Sequence, residues 1–269
     1  MNLLHAYTLC RDLNCLMGYR LTKISPVGNS PVMELEFEDT PRVTQIYRVG
    51  KLAVIKAEDY RLVLSVDDGI VIGISSYPHT LAPRADTIAR VVFDGLTLFY
   101  SSPIKTPLGI SAYKCGAVPI EYKNLGHDLF DVRVTPKYLK NKLLQYNKES
   151  HCIVDFLRNT GVCAYIDLDY LSEALFVANL SPAISIARLL RLPYLEDVLD
   201  IIIRSLRFAY ARGLDCFYDG SVDVPLESLF QVHGRVGEPC AVCGAHIQSI
   251  KEVCWCPRCQ EEGTLCKDK

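Results

Sequence analysis

From residue 20 to about 115 the chain alternates apolar and polar positions in short runs, such as Val32-Met33-Glu34-Leu35-Glu36-Phe37-Glu38, Arg61-Leu62-Val63-Leu64-Ser65-Val66 and Ile70-Val71-Ile72-Gly73-Ile74. Successive side chains of a strand point to opposite faces, so a period of two predicts half-buried strands. Asp67-Asp68-Gly69, Asp94-Gly95 and Ser102-Pro103 punctuate these runs as turns. With no helical crossovers between them, the runs predict an antiparallel sandwich rather than a parallel sheet. Ahead of the strands, Leu4, Leu9, Leu13 and Leu16 recur at helical spacing and predict one amphipathic helix over residues 4–17.

The pattern changes near residue 116, where Gly116, Pro119 and Gly126 lead into helical periods. Thr135-Pro136 reads as a helix start. The threonine oxygen accepts from an orphan backbone N–H and proline fits the first turn, which predicts a helix from Thr135 to Tyr146. Further helices are predicted over His151–Asn159, Tyr170–Ala178 and Tyr194–Arg212. In the last of these, Leu195, Val198, Leu199, Ile202, Leu206 and Ala209 form one stripe, and Gly213 offers a left-handed cap. The expected fold class is α+β, with an N-terminal antiparallel β-sandwich and its leading helix over 1–116, a helical domain over 127–226 and a small C-terminal module over 230–262.

Composition narrows the function classes. Of 269 residues 49% are hydrophobic, which excludes a disordered chain, and no apolar run reaches the ~18 residues a membrane-spanning helix needs. No secretory leader is visible, so an intracellular location is expected, in cytoplasm, nucleoid or nucleus. The net charge of -2 gives no global attraction to a phosphate polymer, and residues 128–260 carry 14 Lys or Arg against 16 Asp or Glu. Of the 12 cysteines, Cys10, Cys15, Cys115, Cys152, Cys163 and Cys216 are scattered and expected to serve as small buried apolar residues.

Four others are paired. Cys240-Ala241-Val242-Cys243 and Cys256-Pro257-Arg258-Cys259 are both Cys-x-x-Cys, with twelve residues between the pairs. A two-residue spacer lets both thiolates of a turn face one ion, and two such turns complete a tetrahedron around one structural Zn²⁺. Four thiolates leave no open position, so this metal does not activate water. A redox dithiol would need only one pair. Cys254 is expected to be a hairpin residue, and His246 lies outside the ligand set.

The segment Phe230-Gln231-Val232-His233-Gly234-Arg235-Val236-Gly237-Glu238-Pro239-Cys240, running on to Cys256-Pro257-Arg258-Cys259-Gln260, resembles the zinc finger of the formamidopyrimidine-DNA glycosylase and endonuclease VIII family. Upstream, Tyr170-Leu171-Ser172-Glu173-Ala174-Leu175-Phe176 followed by Leu180-Ser181-Pro182 resembles the second half of that family's helix-two-turn-helix signature. The resemblance implies a helix-two-turn-helix domain, a zinc-finger β-hairpin and DNA as partner, with Lys137, Lys140, Arg235, Lys251 and Arg258 as candidate DNA contacts. Convergence of these cations on one groove would support DNA binding, and interspersed carboxylates would oppose it. A monomer is expected.

The resemblance also implies excision of oxidised bases and cleavage of the abasic site by an N-terminal proline amine with an adjacent glutamate. Here the family opening Pro-Glu-Leu-Pro-Glu-Val-Glu-Thr is replaced by Asn2-Leu3-Leu4-His5-Ala6-Tyr7-Thr8, and only Thr8 matches. Tyr60 stands in the place of the family's catalytic-domain lysine, with Lys51 and Lys56 nearby. Tyr165-Ile166-Asp167-Leu168 stands where the family has its Gly-x-Gly-Asn phosphate turn, and Ser102-Pro103-Ile104-Lys105-Thr106 where it has the strand end that fills the gap left by a flipped base. Three readings follow. The first is a DNA-binding member without glycosylase or abasic-lyase catalysis. The second is an active bifunctional enzyme with a substituted nucleophile, its candidates the amine of Asn2, Lys51 and Lys56, with His5 as a candidate proton shuttle. The third is a zinc-stapled scaffold that contacts protein.

Overall fold

The computed structural model describes residues 2–66, 70–76, 84–103, 109–117, 119, 122–146, 151–218 and 230–260, with side chains described except at 2–5, 7 and 214–218. The chain forms two units, Met1–Lys123 and Asn124–Lys269.

In the first unit, helix α1 (Asn2–Leu13) runs into a short 3-10 turn at Asn14–Leu16. Among the described residues nine strands follow: β1 (Leu21–Pro26), β2 (Leu35–Glu36), β3 (Val43–Val49), β4 (Leu52–Ala57), β5 (Tyr60–Ser65), β6 (Val71–Ser76), β7 (Thr87–Phe93), β8 (Leu96–Ser101) and β9 (Ile110–Lys114). They pair antiparallel throughout as two sheets, in the orders β2-β1-β7-β8-β6 and β3-β4-β5-β9. Ile24, Val91 and Leu98 of one sheet pack with Ile55, Leu62 and Leu64 of the other, and Ala6, Leu13 and Leu16 join the same core. Tyr100, fully buried on β8, donates to the Ser65 carbonyl of β5 at 2.8 Å and so ties one sheet to the other. The predicted sandwich and leading helix are both present.

Local differences have local causes. The run Val32–Glu38 forms only the two-residue strand Leu35–Glu36 beside β1, where Lys23 meets the carboxylates of Glu34 and Glu36 at 2.7 Å each and the Phe37 N–H donates to the Thr22 carbonyl at 2.9 Å. Asp94-Gly95 is the turn expected, with Gly95 at φ +96 linking β7 to β8. The turn at Asp67-Asp68-Gly69 lies outside the described residues. Of the scattered cysteines, Cys152 and Cys163 are buried and Cys10 packs half-buried against the sandwich core, but Cys15 is exposed and Cys115 half-exposed, so full burial fails for these last three; the side chain of Cys216 lies outside the described residues. Burial pushes the Cys163 thiol up to about 12 and the Cys10 thiol to about 11, which leaves both inert.

The second unit is helical: α2 (Pro136–Gln145), α3 (Ile153–Leu157), α4 (Leu168–Val177), α5 (Ile186–Leu189) and α6 (Leu195–Tyr218), closed by a hairpin of β10 (Gln248–Ile250) and β11 (Val253–Trp255). Thr135 caps α2 as expected, its hydroxyl accepting from the Tyr138 N–H at 3.2 Å. Helix α6 corrects the reading of Gly213, which does not end the helix. The apolar period of the sequence continues through Leu214 and Phe217, and helical hydrogen bonding carries past the glycine to Tyr218. From α6, Arg207 reaches the carbonyls of Leu129, Asp131 and Val134 at 2.9–3.0 Å and pins the segment ahead of α2.

Candidate metal centre and nucleic-acid interface

The finger is built from two knuckles. In the first, Cys240 N–H donates to Ala245 O and Gly244 N–H to Cys240 O, both at 2.8 Å, with Gly244 at φ +74 closing the turn. In the second, Gln260 N–H donates to Cys256 O at 3.0 Å. The Sγ atoms of Cys240, Cys243, Cys256 and Cys259 all lie within 4.8 Å of one another, with Cys243 and Cys256 at 3.3 Å and Cys240 and Cys259 at 3.9 Å. Sulfurs on a tetrahedron with Zn–S bonds of about 2.3 Å stand roughly 3.8 Å apart, so the donor set fits one Zn²⁺. The backbone N–H of Ala245 lowers the Cys243 thiol to about 7, while burial raises Cys256 and Cys259. Cys254 sits on β11 with its sulfur outside the ligand group, and His246 Nδ1 contacts the Gly237 carbonyl at 2.9 Å instead of the metal site.

The finger is joined to α4 by polar groups that sequence reasoning left unassigned. The Glu173 carboxylate, 8% exposed, accepts the N–H groups of Gln231, Val232 and His233, each at 2.9 Å. Ser172 Oγ accepts from Cys254 N–H at 3.0 Å and donates to Leu168 O at 2.7 Å. Fully buried Gln260 accepts from Cys256 N–H at 2.8 Å and donates to Leu180 O at 3.0 Å. Around them Phe176, Val232, Ile247 and Cys254 form a small core with the ligand cysteines. A buried glutamate inside an apolar helix run was the signal available, since such a carboxylate requires donors.

The hairpin tip is a two-residue turn, Lys251-Glu252, with both residues at positive φ (50 and 67). That backbone matches the twist of the flanking strands but costs energy for side-chain-bearing residues. Ion pairs hold it: Lys251 Nζ lies 2.6 Å from both Asp155 oxygens, and Glu252 lies 3.9 Å from Arg158. Burial alone would raise the Asp155 carboxyl, but the bonds from Lys251 and from the Cys152 N–H outweigh it and bring it down to about 2. The tip is thus drawn onto α3 and its neighbour.

Two of the other candidate cations, Lys140 and Arg235, are also engaged. Lys140 Nζ sits 2.6 Å from Glu196, whose carboxylate also feels Lys137. Arg235 pairs with Glu238 at 2.8 Å. Arg258 is exposed on the second knuckle and has no ion pair among the described residues. Carboxylates therefore intersperse among these cations. Of the catalytic candidates, Asn2 and His5 fall in α1 without described side chains, while Lys51 precedes β4 and Lys56 lies near its far end. Tyr60 packs edge-on against Phe37 at 4.9 Å, as a core aromatic does. Of Ser102–Thr106, the part from Ile104 on lies outside the described residues.

At the start of α4, Tyr165 takes φ +64 and Asp167 caps the helix. The Asp167 N–H donates to Tyr210 Oη at 2.9 Å, and that hydroxyl donates to Asp167 Oδ2 at 3.2 Å. Tyr210 is fully buried and stacks on Tyr170, the ring centroids 4.1 Å apart. Burial raises the Asp169 carboxyl, with Asp167 adding to the effect. This helix start therefore places two carboxylates close together, that of Asp167 buried, and its Asp167 amide is spent inside the protein.

Residues 237–261 match the zinc finger found in FPG and IleRS. The chain is 28% identical to the formamidopyrimidine-DNA glycosylase of Pseudomonas paraeruginosa over 239 residues, 81% of this chain and 82% of that protein. It is 32% identical to the formamidopyrimidine-DNA glycosylase of Pseudomonas fluorescens over 181 residues, 62% and 63% of the two chains. In fold it is similar to Lactococcus lactis formamidopyrimidine-DNA glycosylase non-covalently bound to DNA with an AP site, with TM-score 0.76, 21% identity and coverage of 97% of this chain and 100% of that one. It is also similar to MutM in complex with DNA containing carbocyclic 8-oxo-G, with TM-score 0.75, 21% identity and coverage of 97% and 99%. The α+β architecture of sandwich, helix-two-turn-helix unit and zinc hairpin is that of these proteins. Among the described residues no helix is long and apolar enough to cross a membrane.

Proposed function

We propose that this chain is a divergent member of the formamidopyrimidine-DNA glycosylase and endonuclease VIII family that binds DNA through a reduced set of phosphate contacts, without glycosylase or abasic-lyase chemistry. DNA as partner is supported by the likeness to relatives whose structures hold DNA with an AP site or 8-oxo-G. The observation that carries the reading is the closed turn ahead of α4. A helix start that grips phosphate must offer backbone N–H groups and positive potential, and this one has Asp167 and Asp169 in their place, with the Asp167 N–H turned to Tyr210.

Two further observations support it. The finger tip spends Lys251 on Asp155 rather than offering it to a ligand. Tyr60, where the family resemblance places a lysine, is packed on Phe37 and has no amine to give.

Salt-dependent binding to a duplex with an abasic site tests this. Each phosphate neutralised contributes about -0.9 to the slope of log K against log salt, so a reduced contact set predicts a slope shallower than about -3. Asp155→Asn releases Lys251 and is expected to steepen that slope by about one without changing zinc content. Absence of binding at low salt, or a wild-type slope near -6, contradicts the proposal.

A further inference from the structure

Helix α6 presents two parallel rows at four-residue spacing, Arg204, Phe208 and Arg212 beside Ser205, Ala209 and Gly213. All six line one cavity of about 530 Å³, closed on its other side by Val177 and Tyr170 of α4 and by Phe230. The small row makes a floor that another backbone can approach, and the long row makes a ridge beside it. Apolar surface is left open here: Phe208 is 64% exposed and Val177 49%. No step of the proposed DNA contact uses either residue.

Two guanidinium groups, those of Arg204 and Arg212, flank the exposed ring of this groove. Arg212 lies over the Phe208 ring at 5.8 Å and has no carboxylate partner among the described residues. Arg204 shares its guanidinium with Asp200 across an exposed i,i+4 pair, which holds it weakly. Glu173 also faces the cavity, but its two oxygens already accept three backbone N–H groups. At 1.5 Å rise per residue the two arginines stand about 12 Å apart, with the aromatic ring midway.

We propose that this groove docks an amphipathic helix of a partner protein, one that carries Asp or Glu four residues to either side of a large apolar side chain. The apolar residue packs on Phe208 and Val177 over the Ser205-Ala209-Gly213 floor, while the two carboxylates meet Arg204 and Arg212. Spacing and charge both favour a helix over the alternatives. A second copy of this chain would oppose arginine to arginine across a two-fold contact. A nucleic-acid backbone would leave Phe208 and Val177 in water.

The test is fluorescence anisotropy of the zinc-loaded full chain with a labelled helical peptide bearing Glu, Leu and Glu at successive four-residue spacings. Saturable binding is expected. Phe208→Ala should weaken it at least about tenfold while leaving thermal unfolding unchanged, because the ring is exposed. The double variant Arg204→Glu, Arg212→Glu should lose this peptide and gain one in which Lys replaces Glu. The proposal is overturned if wild type does not bind, as when residues 219–229 of the chain itself fill the groove. It is equally overturned if binding ignores Phe208→Ala, or if a single-stranded oligonucleotide binds in a Phe208-dependent way and the peptide does not.

Discussion

Removing the zinc, by chelation or by Cys256→Ser, is expected to cost the second unit more than about 5 kcal/mol, a fall of more than about 10 °C in its Tm. The reason lies in how little else holds the finger. Its hairpin pairs only three residues per strand, and its core is Phe176, Val232, Ile247 and Cys254 packed around the ligand cysteines. Without the ion, four thiols crowded within 4.8 Å have no common partner, and the knuckles lose the constraint that shapes them. The loss spreads to α4, because Ser172, Glu173 and Gln260 join it to the finger. Calorimetry with and without chelator measures the change, and Cys254→Ser is the control. That cysteine is buried on β11 but is no ligand, so its variant keeps one zinc per chain. A Tm unchanged by chelation, or zinc lost from Cys254→Ser alone, contradicts the assignment.

Glu173→Ala is expected to destabilise the second unit by about 4 kcal/mol. Truncation leaves three backbone N–H groups of residues 231–233 without an acceptor in a buried site, and each such group costs roughly 1–3 kcal/mol. Glu173→Gln should cost less, about 2 kcal/mol, since one amide oxygen still accepts while the NH₂ opposes a donor. Both variants should retain zinc, because neither touches a sulfur, yet urea unfolding should show the finger separating from α4 before the helices melt. A loss below about 1 kcal/mol for the alanine variant would mean that water satisfies these donors equally well, and that Glu173 is not the link between helix and finger.

Much of this was legible in the residues. The period-two runs gave the strands, Thr135-Pro136 gave the start of α2, and two Cys-x-x-Cys pairs gave the metal ligands, because each of these is a local rule that its own residues satisfy. What escaped depends on partners distant in sequence. Glu173 looks like any helix glutamate until the turn at 231–233 arrives to donate to it. Lys251 reads as a cation free for phosphate, and only the approach of α3 shows that Asp155 claims it. Gly213 looks like a helix end when judged alone, although the apolar period on its far side and the hydrogen-bond ladder carry the helix through. Tyr210, 43 residues from Asp167, could not be paired with it from spacing.

Borohydride trapping on duplex DNA carrying an abasic site tests the central claim most directly, because reduction converts any Schiff base between a protein amine and the sugar aldehyde into a permanent adduct. The expected result, with zinc-loaded chain at concentrations where it binds the duplex, is bound DNA and no covalent product. A trapped adduct, above all one lost on replacing Lys51 or Lys56, would show that a working amine persists on this scaffold and would contradict the account.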